Sequence, residues 1–134
     1  MKLGLDIHGV IDKLPCLKII AELLVSNGHE VHIITGAPWN KVSSNIKHEG
    51  IEEYLLSHGF KQGISFTHFF SIVDFHAALG TKIDCDEKGN CWLESNTWND
   101  TKSIYCSLHN IDLHIDDSNT YANLFTSPIA VLKH

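Results

Sequence analysis

The sequence predicts an α/β fold, with a mainly parallel five-stranded sheet, helices on both faces and a small β-hairpin insertion. Short runs of aliphatic and β-branched residues alternate with segments of helical period, the pattern that builds parallel sheets. Three of the strand-like runs end in polar groups: Asp6, then Thr35-Gly36, then Asp116-Asp117. At 134 residues the chain has room for one core, so 1–134 is read as a single domain whose only insertion is the hairpin at 82–93.

The first strand is the alternating run Leu3, Leu5, Ile7, which delivers Asp6 and His8 to a loop opened by Gly9. Over 15–27, Leu17, Ile20, Ala21, Leu24 and Val25 recur at helical spacing, with Pro15 in the first turn and Gly28 as a stop. A buried strand follows over 30–34 and runs into Thr35-Gly36-Ala37-Pro38. A second helix is expected from Pro38 toward Gly50, continuing over 51–57. The aromatic and β-branched stretch 64–73 predicts the third strand, and its Phe66, Phe69 and Phe70 read as core.

Glu87-Lys88-Gly89-Asn90 is a turn-rich tetrapeptide between the two short arms of the hairpin. Asn96 or Thr97 can cap a helix through about Asn110 that buries Ile104, Tyr105 and Leu108. The fourth strand covers 112–115, a short helix lies near 121–125, and the last strand follows Pro128 over 129–132.

Composition narrows the function. A formal charge of −6 argues against general nucleic-acid affinity, which needs lysine and arginine to neutralise phosphates. No apolar run approaches the roughly 20 residues needed to cross a bilayer and no signal sequence is evident, so a cytoplasmic location is expected. The four cysteines, Cys16, Cys85, Cys91 and Cys106, are expected to be free thiols. Cys85 and Cys91 can face each other across the hairpin, but their spacing is not a zinc knuckle. Most of the ten histidines, His109 and His114 among them, read as surface or packing residues.

In a parallel sheet the ends of the first, second and fourth strands meet at one edge, where open α/β sheets bind ligands. Carboxylates gathered there repel one another. A hard divalent cation relieves that repulsion, and Mg²⁺ suits a site with few carboxylates and several waters.

With these residues in place, the chain resembles the haloacid dehalogenase (HAD) superfamily, whose members have a Rossmann-like domain and are mostly Mg²⁺-dependent phosphatases and phosphotransferases. Asp6-Ile7-His8-Gly9-Val10 is similar to the family's Asp-x-Asp-Gly-(Thr/Val) motif. Val31-His-Ile-Ile-Thr35-Gly36 matches its second motif, Lys102 its lysine, and Leu113-His-Ile-Asp116-Asp117 its acidic pair. The resemblance implies that Asp6 attacks phosphorus, that Thr35 and backbone N–H groups near Gly9, Val10 and Gly36 hold phosphoryl oxygens, and that Lys102 balances their charge. It implies Mg²⁺ between Asp6, the backbone carbonyl of His8 and Asp117, with Asp116 in support or exchanging roles with Asp117.

His8 departs from the motif, which has a second aspartate there. An imidazole can serve as acid and base near neutrality. The alternatives are slowed or altered chemistry, or a degenerate metal- and phosphate-binding or regulatory protein without turnover. Only two residues separate Asp12 from Pro15, so no cap domain fits there. Capless relatives leave the crevice open to bulky substrates or cover it by homo-oligomerising, and fold analogy suggests a nucleotide or a phosphorylated nucleic-acid end as substrate. A two-component receiver domain expects its acidic pair after the first strand, whereas this chain has it after the fourth.

Overall fold

A computed structural model describes residues 1–39, 51–88 and 90–133. Five strands form one sheet: β1 (Lys2–Leu5), β2 (Glu30–Thr35), β3 (His68–Ser71), β6 (Leu113–Asp116) and β7 (Ile129–Val131). All pairings are parallel and the order is β3-β2-β1-β6-β7, so the chain builds outward on one side of β1 and then crosses to the other. That reversal beside β1 is the topological switch point at which open sheets leave a crevice.

The two faces are covered by different helices. Val31 and Ile33 of β2 face α1 (Cys16–Ser26) and α2 (Ile51–Ser57), where Leu17, Ala21, Ile51 and Leu55 complete a buried aliphatic cluster. Ile34 points the other way, toward Tyr105 and Cys106 of α4 (Ser95–Leu108) and Ile111 in the loop beyond it. β1 is buried on both faces, as the central strand of a parallel sheet must be. Gly4 permits this close packing, because a Cβ there would meet the His114 ring and the Ile34 side chain, both at 2.8 Å.

Several elements depart from the sequence expectation. The third strand is four residues long, and Ile72–Ala78 folds as α3 because the Ser71 hydroxyl accepts the Asp74 N–H and caps the turn. The helix expected over 38–50 lies outside the described residues from position 40 onward. Neither Asn96 nor Thr97 caps α4; the Glu94 carboxylate does, accepting both their N–H groups at 3.0 and 2.9 Å. Ile104 and Leu108 are solvent-exposed, and the buried stripe of α4 consists instead of Thr101, Lys102, Ser103, Tyr105 and Cys106. Ile20 of α1 is likewise exposed. Among the phenylalanines Phe66 is fully buried, and Phe69 and Phe70 pack at the margins of the two clusters. Among the described residues, no helix is long and apolar enough to cross a membrane.

The hairpin forms as β4 (Asp84–Cys85) and β5 (Cys91–Trp92), with Asp86 accepting the Lys88 and Asn90 N–H groups in its turn. Its antiparallel register sets Cys85 directly opposite Cys91, and the two are joined as a disulfide. The free-thiol expectation is corrected for this pair: five intervening residues close a hairpin in which the two sulfurs meet. Cys16 and Cys106 are free. Thiol titration of the denatured, unreduced chain should therefore give two reactive thiols, rising to four after reduction; four before reduction would contradict the hairpin bridge.

Candidate functional site

The parallel register brings the polar strand ends together. Asp6 follows β1 and its N–H donates to the Ile115 carbonyl at 3.0 Å, which sets it beside Asp116 at the end of β6. Thr35 is the last residue of β2, buried and paired in register with Ser71. After Asp6 the chain makes a wide turn over residues 7–11, with the Asp6 carboxylate accepting the Ile7 N–H at 2.8 Å. Gly9 adopts φ +81° there, in the left-handed region that favours glycine. A Cβ on Gly9 would overlap the Asp117 carboxylate, so the bare backbone lets the two loops close on each other. Asp12 ties the turn together, accepting the Gly9 N–H at 2.7 Å and the Tyr54 hydroxyl at 3.0 Å.

Lys102 is the centre of the cluster. It reaches from α4 with 1% of its surface exposed, and its Nζ donates to Asp116 Oδ2 at 2.8 Å and lies 3.2 Å from Asp6 Oδ2. Tyr121 stacks over the same ammonium at 4.5 Å. The Tyr121 hydroxyl accepts the Trp98 indole N–H at 2.7 Å, and the Trp98 ring lies where a Cβ on Gly36 would project. Gly36 therefore serves the packing of Trp98. Its carbonyl also accepts the Val73 N–H and the Ser71 hydroxyl, both at 3.3 Å, which fixes the start of α3.

Burial works against the charge on Lys102, but Asp6 and Asp116 outweigh it and hold the ammonium above its ordinary value. For Asp116, burial is outweighed by the His114 hydrogen bond and by the Lys102 charge, so its carboxyl titrates well below the usual range. Asp6 is shifted the other way: desolvation raises it, and Lys102 offsets only part of that rise. One lysine thus faces two buried carboxylates and is closer to Asp116.

Asp116 is the most fully bonded group of the site. Its Oδ1 accepts the Asp117 and Ser118 N–H groups at 2.8 and 3.2 Å, and its Oδ2 accepts both Lys102 and His114 Nε2, the latter at 2.9 Å. His114 is fully buried and stacked on Phe125, the packed rather than the surface alternative of the sequence reading, and its bond to Asp116 is the part that reading did not contain. Burial holds it below the ordinary imidazole value; its Nε2 faces the Asp116 carboxylate and its Nδ1 is buried without a hydrogen-bond partner. The signal that could have found it is the two-residue spacing His114-x-Asp116, which puts both side chains on the α4 face of β6.

Among the expected residues, Asp6, Lys102 and Asp116 are in direct contact, and carboxylate oxygens of Asp6, Asp116 and Asp117 lie within 4.8 Å of one another. That donor set is oxygen only and could hold a hard divalent cation. Val10 is wholly buried, so its side chain belongs to the core and only its backbone could serve a ligand. The His8 side chain is 60% exposed and is directed toward Asp12, 3.8 Å from Nδ1, and Tyr54, 5.1 Å between ring centroids.

The molecule is thus an α/β protein with a lysine-bridged acidic cluster at the carboxyl edge of a parallel sheet. No family model matches the chain, and no curated protein or solved structure is significantly similar to it.

Removing Lys102 leaves two buried carboxylates without their cation. Lys102→Met should lower unfolding stability by about 3–5 kcal/mol, the usual cost of breaking a buried ion pair from one side, measured by urea denaturation. A loss below about 1 kcal/mol would contradict the bridging role.

Proposed function

We propose that this protein is a HAD-like, Mg²⁺-dependent phosphohydrolase that cleaves a phosphomonoester through an aspartyl-phosphate on Asp6. The observation that supports this reading best is the placement of the Asp6 carboxylate: it follows the central strand, touches one buried lysine and shares its edge with Asp116 and Asp117. A nucleophilic carboxylate must be ionised and held in a fixed direction. The Ile7 N–H fixes one oxygen and Lys102 holds the other.

In the first step an Asp6 oxygen forms a bond to phosphorus as the bond to the leaving oxygen breaks. His8 is the acid that gives that oxygen its proton. In the second step water attacks the aspartyl-phosphate, His8 takes its proton, and inorganic phosphate leaves with Asp6 regenerated. Thr35 and the backbone of the turn over residues 7–11 hold the phosphoryl oxygens, and Lys102 stabilises their charge. Asp6, the His8 carbonyl and Asp117, with Asp116 in support, would hold Mg²⁺, which would supply neutralisation of the phosphoryl charge. The same reading makes the substrate a nucleotide or a phosphorylated nucleic-acid end, and leaves the crevice open or covered by a second copy of the chain.

A second reading is favoured by the direction of His8. Its ring is turned to Asp12 and Tyr54, which suits a site that binds metal and phosphate without an acid for the leaving group.

Release of phosphate from an aryl phosphate separates the two. Turnover should require Mg²⁺ and fall to background in Asp6→Asn; undiminished activity in that variant would rule out the covalent step. His8→Ala should keep Mg²⁺ affinity in calorimetry while slowing turnover by roughly 10²–10⁴-fold, the range of general acid–base catalysis. Absence of any turnover by the unmodified chain would favour the binding protein.

A further inference from the structure

At the amino end of the same sheet, opposite the acidic cluster, β2 and β3 bring together three potential metal ligands that the proposed phosphohydrolase does not use. Glu30 and His32 are two residues apart on β2 and therefore share a face. His68 opens β3 in direct register with His32, and the two imidazoles stack with centroids 4.3 Å apart and planes 9° from parallel. One donor atom from each of the three lies within 4.8 Å of the others.

The carboxylate of Glu30 is divided between two tasks. Oε2 lies 3.5 Å from the Lys2 ammonium, while Oε1 lies 3.1 Å from His32 Nε2 and 3.6 Å from His68 Nδ1. Ligand atoms around a tetrahedral Zn²⁺ at about 2.1 Å stand roughly 3.4 Å from one another. The two measured separations bracket that edge length. His32 is also prepared from behind: its Nδ1 is hydrogen-bonded to the buried Tyr105 hydroxyl at 2.7 Å, the outer contact that orients a ligating histidine. With Nδ1 occupied by Tyr105, Nε2 is the ring nitrogen of His32 that faces the Glu30 carboxylate and is placed to ligate an ion. Glu30 and His68 are partly open to solvent, which gives an ion a path in.

We infer that Glu30, His32 and His68 form a metal site for a borderline transition-metal ion of the Zn²⁺ class, clamping the start of β2 to the start of β3. Two imidazoles and one carboxylate favour such an ion over Mg²⁺, which prefers oxygen and octahedral geometry. Three protein ligands leave a fourth position for water. The inference is independent of the phosphohydrolase reading, since it uses other residues at the other edge of the sheet.

The test is titration of the metal-free full chain with Zn²⁺ by calorimetry in excess Mg²⁺, with Co²⁺ absorption as a spectroscopic probe of the ligand set. One Zn²⁺ should bind per chain without displacement by Mg²⁺. His68→Ala and Glu30→Gln, both at partly exposed positions, should each abolish that binding while circular dichroism reports an intact fold. Tyr105→Phe should weaken binding about 10–100-fold, and Asp117→Asn should leave it unchanged. The inference is overturned if the unmodified chain binds no stoichiometric Zn²⁺, if binding persists equally in His68→Ala and Glu30→Gln, or if Asp117→Asn removes it.

Discussion

The Lys102 ammonium, buried between Asp6 and Asp116, is the interaction on which the rest of the site depends. A lysine with almost no exposed surface is stable only when its charge is answered at once, and here two carboxylates at the ends of two different strands answer it. That requirement ties α4 to the carboxyl ends of β1 and β6. It also makes the buried stripe of α4 polar, which is why the helix turns Ile104 and Leu108 outward. An apolar helix face would have packed better and held nothing.

Around this pair the backbone is brought unusually close. Gly9 lets the turn after β1 meet Asp117, Gly36 lets Trp98 lie against the end of β2, and Gly4 makes room for the His114 ring that bonds to Asp116. Each omitted side chain brings two elements into contact at the edge where the carboxylates gather. Trp98 then holds Tyr121 over the lysine, closing a chain of contacts from β2 through α4 to α5 (Asn119–Ala122).

The sheet was legible because its strands obey simple patterns: alternation in 3–7, an aliphatic run in β2, and polar residues where each strand stops. Asp6, Thr35 and Asp116-Asp117 could be placed on one edge from those endings alone. Lys102 could be named but not located, since a helical lysine is normally a surface residue and burial depends on partners 96 and 14 positions away. The third strand is shorter than the sequence predicts because β-branched and aromatic residues continue into α3; the Ser71-x-x-Asp74 cap is the local signal that ends it. The hairpin disulfide depends on a two-residue register that composition does not reveal.

If Asp6 is the phosphoryl acceptor, it should accept a phosphoryl mimic. Fluorine NMR of the chain with beryllium fluoride and Mg²⁺ tests this most directly, because the adduct forms on a carboxylate oxygen held for in-line attack. The account predicts one bound species that requires Mg²⁺ and disappears in Asp6→Asn. A species that persists in Asp6→Asn, or none in the unmodified chain, would contradict it.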